Sequence, residues 1–232
     1  MKSLATLVSV AMFVAGSAHA SDWSHHGASE RGLKYSDLTQ IDRGNVASLA
    51  LAWTARTGER SEGLARPVAF QANPILAEGR LYVATGTAIV LALDPGTGAE
   101  IWRFDPKLDR TRPTAEVANR GVTSWLDPTR GAAEPCRQRI FVGTLAARLI
   151  ALDGATGAPC ADFGEAGAVH LDRDVRVERG DWVNYTVTSP PVVVGDVVVV
   201  GSAIGDNRGV EIELGIVRGL DARPGAERWR WA

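Results

Sequence analysis

One short pattern recurs three times in this chain. Arg80-Leu-Tyr-Val-Ala-Thr-Gly86 leads to Val90-Leu-Ala-Leu-Asp94, then Gly96-Thr97-Gly98, then Ile101-Trp102. Arg139-Ile-Phe-Val-Gly-Thr144 leads to Leu149-Ile-Ala-Leu-Asp153, then Ala155-Thr156-Gly157. Asp196-Val-Val-Val-Val-Gly201 leads to Ile216-Val-Arg-Gly-Leu-Asp221, then Gly225 and Trp229. The aspartates stand 59 and 68 residues apart. Each unit reads as a strand, a loop, a second strand, a turn built on Asp and Gly, and a third strand. The strand segments are short and almost unbroken in Val, Ile and Leu, which suits sheets covered on both faces. The Asp can accept hydrogen bonds from turn amides, and the Gly can take positive φ. Multi-stranded units at this kind of period are the mark of a β-propeller. The long spacings leave room for insertions at residues 105–135 and 166–187, both polar and poor in strand signals. Apolar positions at helical spacing are absent after residue 50. A helical turn is predicted only at residues 43–49, with Asp42 as a candidate N-cap.

Composition narrows the class. Apolar residues make up 45% and charged ones 22%, and the formal charge is −2, so neither a disordered chain nor a nucleic-acid partner is expected. The length of 232 residues allows one domain or two, yet the repeats suggest part of a larger domain. Lys2, an apolar run at residues 4–16 and Ala18-His19-Ala20 read as a cleaved secretory signal over residues 1–20, with an N-terminal membrane anchor as the alternative. Loss of that segment removes one Lys, taking the charge from −2 to −3. Residues 21–232 would then be exported to the periplasm with no transmembrane segment in the mature chain. In an oxidising compartment Cys136 and Cys160 form a disulfide candidate, two unpaired thiols being the alternative. His25-His26 does not read as a metal site, because adjacent side chains seldom converge on one ion. Trp125 and Trp182 are expected to pack.

The turn pattern Ala-x-Asp-x-x-x-Gly-x-x-x-Trp, complete at Ala92, Asp94, Gly98 and Trp102, resembles the tryptophan-docking motif of the quinoprotein dehydrogenases. The second copy keeps Ala151, Asp153 and Gly157 but has Ala161 in the Trp place; the third keeps Asp221, Gly225 and Trp229 but has Gly219 for Ala. Lys34-Tyr35-Ser36, Phe70-Gln71-Ala-Asn-Pro74, Asn119-Arg120-Gly121-Val122, Thr188-Ser-Pro-Pro191 and Gly205-Asp206-Asn207 follow in the family's order, so the resemblance covers residues 22–232. It is greatest to the glucose, quinate and shikimate branch.

That resemblance implies an all-β fold: about three blades, with long inserted loops, of an eight-bladed propeller that holds pyrroloquinoline quinone (PQQ) and Ca²⁺ or Mg²⁺. Residues 49–57 would complete the last blade of the ring. By motif position Arg120 is the cofactor cation, with Gln71 and Thr188 as further cofactor contacts and Thr144 as a second choice. Asp206 and Asn207 are the metal-ligand candidates, since a carboxylate and an amide oxygen suit a hard cation. No catalytic residue is assigned in this chain, because the family's catalytic Asp belongs to a later part of the ring. The implied substrate is a sugar or alcohol hydroxyl, and the implied electron acceptor a cytochrome or membrane quinone. Thr114-Ala115-Glu116 stands where many alcohol-oxidising members carry two cysteines, which argues against the methanol/ethanol branch. The chain alone is expected to bind cofactor poorly. The alternative is a non-catalytic propeller scaffold or envelope assembly protein that shares the docking repeats.

Overall fold

A computed structural model describes residues 22–114, 116–175, 185–205 and 213–232. The signal-like residues 1–20 therefore lie outside it. The described residues form fourteen strands. They are β1 (Ala69–Phe70), β2 (Ile75–Ala77), β3 (Arg80–Ala84), β4 (Val90–Leu93), β5 (Glu100–Phe104), β6 (Ala118–Asn119) and β7 (Thr123–Leu126), followed by β8 (Gln138–Gly143), β9 (Arg148–Asp153), β10 (Ala168–His170), β11 (Val192–Val194), β12 (Val197–Val200), β13 (Val217–Asp221) and β14 (Glu227–Trp231). Three four-stranded antiparallel sheets, β2–β5, β7–β10 and β11–β14, each run as a meander in chain order. These are the three blades, one per repeat.

The apolar strands split their side chains between two neighbours, because successive residues of a strand point to opposite faces. Along β8, Ile140 and Val142 join Tyr82, Val90 and Trp102 in the core between the first and second blades. Phe141 lies on the other face with Leu149, Phe163, Val198 and Val200, in the core between the second and third. All six residues of β8 are buried, which is why its sequence shows no alternation.

The Asp-Gly turns are near copies of one another. Asp94 accepts hydrogen bonds from the Gly96 and Thr97 amides and the Thr97 hydroxyl, and Asp153 does the same for Ala155 and Thr156. The glycine closing each turn has positive φ, at 72°, 74° and 73° for Gly98, Gly157 and Gly225. The turn also receives an aromatic side chain from the preceding element. Trp102 donates its ring N–H to the Gly154 carbonyl at 3.0 Å, and its indole covers Gly157 so closely that a Cβ there would sit 2.5 Å from the ring. Trp53 repeats the arrangement on the first blade, donating to the Pro95 carbonyl at 3.0 Å and covering Gly98.

The second blade has Ala161 at the position equivalent to Trp102, and the structure shows what replaces the tryptophan. The chain leaves β9 through an isolated bridge between Leu152 and Pro159, loops out, and returns as β10. The loop carries Phe163, fully buried, to the third blade's turn, where a Cβ on Gly225 would meet Phe163 and Val169. Cys136 and Cys160 form a disulfide that ties the base of this loop to the approach of β8.

Two expectations need correction. Residues 105–135 are not strand-free, since they hold β6 and β7, and residues 166–187 hold β10. In β7 Thr and Trp favour a strand, but the segment is only four residues long, and pairing with β8 fixes its extension. The helical turn shrinks to a 3-10 helix at Val46–Ser48, with Asn45 rather than Asp42 at its N-cap. Asp42 instead accepts the Gly44 and Asn45 amides one step earlier. Residues 49–57, expected to belong to the last blade and to have no sheet to join without it, form no strand here. They are anchored by Trp53 and by Arg103 donating to the Thr57 carbonyl, while Leu49 and Leu51 are exposed. No helix among the described residues is long and apolar enough to cross a membrane.

Candidate functional site

Each blade is preceded by a short extended segment, and these segments lie side by side. β1 and β6 pair in parallel, Ala69 opposite Ala118 and Phe70 opposite Asn119. Further on, the Asn73 amide donates to the Arg120 carbonyl at 3.3 Å, and the Arg120 amide donates to the Thr188 carbonyl at 2.8 Å. The same station of three successive repeats is thus occupied by Gln71, Arg120 and Thr188.

The Asn-Arg-Gly triplet has a distinct task for each member. Asn119 is buried; its amide donates to the Gly143 carbonyl at 2.8 Å and its oxygen accepts the Gly121 amide at 2.9 Å. Gly121 has φ 139°, and a Cβ there would stand 3.2 Å from the Asn73 carbonyl oxygen, so only glycine lets the neighbouring segment approach. Between these two fixed residues the Arg120 side chain projects to a half-exposed position.

Its guanidinium donates to the Thr188 hydroxyl oxygen at 2.7 Å and to both carboxylate oxygens of Glu116 at 3.1 and 3.3 Å. The Gln71 amide donates to the same carboxylate at 3.3 Å. Gln71, Glu116, Arg120 and Thr188 therefore form one hydrogen-bonded row. Because the Thr188 oxygen accepts from Arg120, its own proton is left to donate elsewhere. Arg120 uses only part of its five-donor fork on protein. The row can present one full positive charge with neutral donors on either side, partly offset by one carboxylate.

Sequence reasoning named three of these four residues. Glu116 entered it only as part of the stretch that lacks the two cysteines, although an acidic residue four positions before the arginine was a readable sign. Thr144 stands apart from the row. Its hydroxyl accepts the Arg148 amide at 3.1 Å in the β8–β9 turn, as Thr85 does for Ile89 in the first blade, although its carbonyl accepts the Val187 amide beside Thr188. Asp206 and Asn207 lie outside the described residues, as does Trp182. Glu213 is buried and accepts the Gly205 amide at 3.1 Å. Trp125 packs at the second interface, donating to the Gly195 carbonyl at 2.8 Å beneath the Arg223 guanidinium. His25 and His26 have separate partners, the Ser24 hydroxyl and the Asn73 amide. Burial holds the His25 imidazole below its usual pKa.

Residues 23–232 match the family model described as PQQ: glucose/ethanol/alcohol dehydrogenase, β-propeller domain. The chain is similar to the quinoprotein glucose dehydrogenase A of Acinetobacter calcoaceticus, 32% identical over 90% of this chain and 27% of that protein. It is 30% identical to the quinate/shikimate dehydrogenase (quinone) of Acinetobacter baylyi, over 90% of this chain and 27% of the relative. Among solved structures, the quinohemoprotein alcohol dehydrogenase of Comamonas testosteroni superimposes with a TM-score of 0.68 at 31% identity, over 94% of this chain and 28% of that one. The chain thus spans about a quarter of the length of the relatives it matches.

Proposed function

Since this chain belongs to the family of PQQ-type glucose/ethanol/alcohol dehydrogenase β-propellers, we propose that it forms one arc of a PQQ-dependent dehydrogenase acting on the hydroxyl of a sugar, a polyol or a cyclic alcohol. The observation that carries this reading is the convergence of Gln71, Arg120 and Thr188 at the same station of three successive repeats.

The donor set fits the group. PQQ is a flat quinone bearing several carboxylates, and the row offers a planar guanidinium suited to bidentate pairing with a carboxylate, flanked by a hydroxyl and an amide. When bound, PQQ supplies the two-electron acceptor that no side chain here provides. Arg120 binds the anionic edge. Thr188 orients it through its free proton, and Gln71 adds an amide contact without adding a negative charge. Asn119 and Gly121 hold the backbone so that Arg120 keeps its aim. Asp206 and Asn207 are proposed as oxygen ligands of Ca²⁺ or Mg²⁺, and no catalytic base is assigned in this chain. Export to the periplasm is part of the proposal, supported by the leader-like residues 1–20 and the Cys136–Cys160 disulfide. A cytochrome or a membrane quinone is proposed as the electron acceptor.

The test is titration of residues 21–232 with PQQ in the presence of Ca²⁺, followed by NMR so that weak binding is read. Shifts should centre on residues 69–73, 117–121 and 186–188. Arg120→Ala should weaken binding about ten- to a hundredfold, the value of a charge-assisted hydrogen bond. A non-catalytic scaffold would show the same response to PQQ with or without Arg120, and that result would refute the proposal.

A further inference from the structure

Among the described residues, Glu116 is the one carboxylate within ion-pair distance of Arg120. It reaches Arg120 with both oxygens, and the Gln71 amide shares one of them. Its side chain is 43% exposed and that of Arg120 36%, so solvent reaches the pair and neither member is locked in a core. Among the described residues, Glu116 and Arg120 link Gln71 to Thr188.

We propose that Glu116 is the resident counter-anion of Arg120, a positioning residue that a carboxylate of the incoming cofactor displaces from the guanidinium. This rests on the PQQ reading above. Two consequences follow from the geometry. While Glu116 is in place, the guanidinium stays in the plane that also meets Thr188, and the Gln71 amide is held in the same row. An anion arriving at Arg120 exchanges one ion pair for another. A small anion that can touch only Arg120 gains little from the exchange. A polycarboxylate that also reaches Thr188 and Gln71 gains the additional bonds. Glu116 therefore acts as a charge filter: it weakens every anion at Arg120 alike, so that only those gaining further bonds along the row bind appreciably.

The experiment titrates the folded chain with PQQ and, separately, with inorganic phosphate, in wild type, Glu116→Gln, Glu116→Ala and Arg120→Ala. Glutamine keeps the shape and an accepting oxygen but removes the charge. Glu116→Gln should tighten PQQ about two- to fivefold, the range set by half-exposed ion pairs. It should tighten phosphate by about the same factor, because both anions displace the same ion pair. Glu116→Ala, which frees Arg120 and Gln71 to wander, should bind PQQ less well than Glu116→Gln. A residue with a merely structural role could not produce a gain in affinity on substitution. If Glu116→Gln leaves PQQ affinity unchanged or lowers it while Arg120→Ala lowers it, the counter-anion role is wrong and the cofactor reading stands. If Arg120→Ala changes nothing, the cofactor reading falls and takes the filter with it.

Discussion

Substituting Gly157 by Ala tests the way the blades are joined. Gly157 has φ 74°, and a Cβ there would lie 2.5 Å from Cε3 of Trp102. Gly79 provides the control. It has φ 71° in the β2–β3 turn, and a Cβ there would meet nothing within 4 Å. Both substitutions carry the left-handed backbone cost of a non-glycine residue, roughly 1–2 kcal/mol. Gly157→Ala adds overpacking against an indole that cannot simply swing aside, because its N–H is bonded to the Gly154 carbonyl and its face is tilted against Tyr82. That addition is worth about 1–3 kcal/mol. The expected destabilisation is therefore about 2–5 kcal/mol for Gly157→Ala and about 1–2 kcal/mol for Gly79→Ala. Equilibrium urea unfolding of the oxidised chain measures both. The excess should vanish in a Trp102→Ala background, where the added methyl meets a cavity. Trp102→Ala leaves the Gly154 carbonyl satisfied, since the Tyr82 hydroxyl also donates to it at 3.0 Å. If Gly157→Ala costs no more than Gly79→Ala, or if the excess survives removal of the indole, the tryptophan does not hold the first interface in the way described.

Phe163→Ala should cost about 3–5 kcal/mol, the usual range for emptying a buried aromatic site, and Ala161→Trp should not restore the loss, because position 161 is exposed. Urea unfolding of the single and double variants decides it. Replacing both Cys136 and Cys160 by Ser should lower stability by about 3 kcal/mol, as opening a loop of 24 residues implies, and reduction of the wild type by dithiothreitol should match it. Acid should weaken the second interface through Asp127. Burial works against its ionisation, but the Thr129 hydroxyl and amide and the Arg223 guanidinium more than offset this, so its pKa is lowered. A depressed folded-state pKa contributes stability that is present above the unfolded value and lost as pH falls through the folded one. The drop in unfolding free energy between pH 7 and pH 3 should therefore be smaller in Asp127→Asn than in wild type.

Much of the fold is legible in the chain because the repeat states it three times. An Asp that caps its own turn, a Gly at positive φ and two short, largely apolar flanks are local instructions, and local hydrogen bonds carry them out. Arg120, Gln71 and Thr188 were legible as well, through the short motifs around them. That they share one station was not. They lie 49 and 68 residues apart, and only the stacking of blades makes neighbours of them. The β-structure of residues 118–126 was missed for the same reason, since strands of two and four residues owe their conformation to their partners.

What the amino-acid order determined alone is the repeating unit and its turns, because their bonds join residues a few positions apart. What tertiary structure decided is everything that crosses from one blade to the next. The loss of tryptophan at position 161 reads as a defect until the loop held by Cys136 and Cys160 is seen to deliver Phe163 to Gly225. Arg139 looks like a surface residue until it is found fully buried, bonded to Asp162 and to the Arg223 carbonyl of the next blade. Glu116 gains its meaning only beside Arg120 and Gln71. Packing between units depends on shapes and charges that come together through space, and no local pattern encodes that meeting.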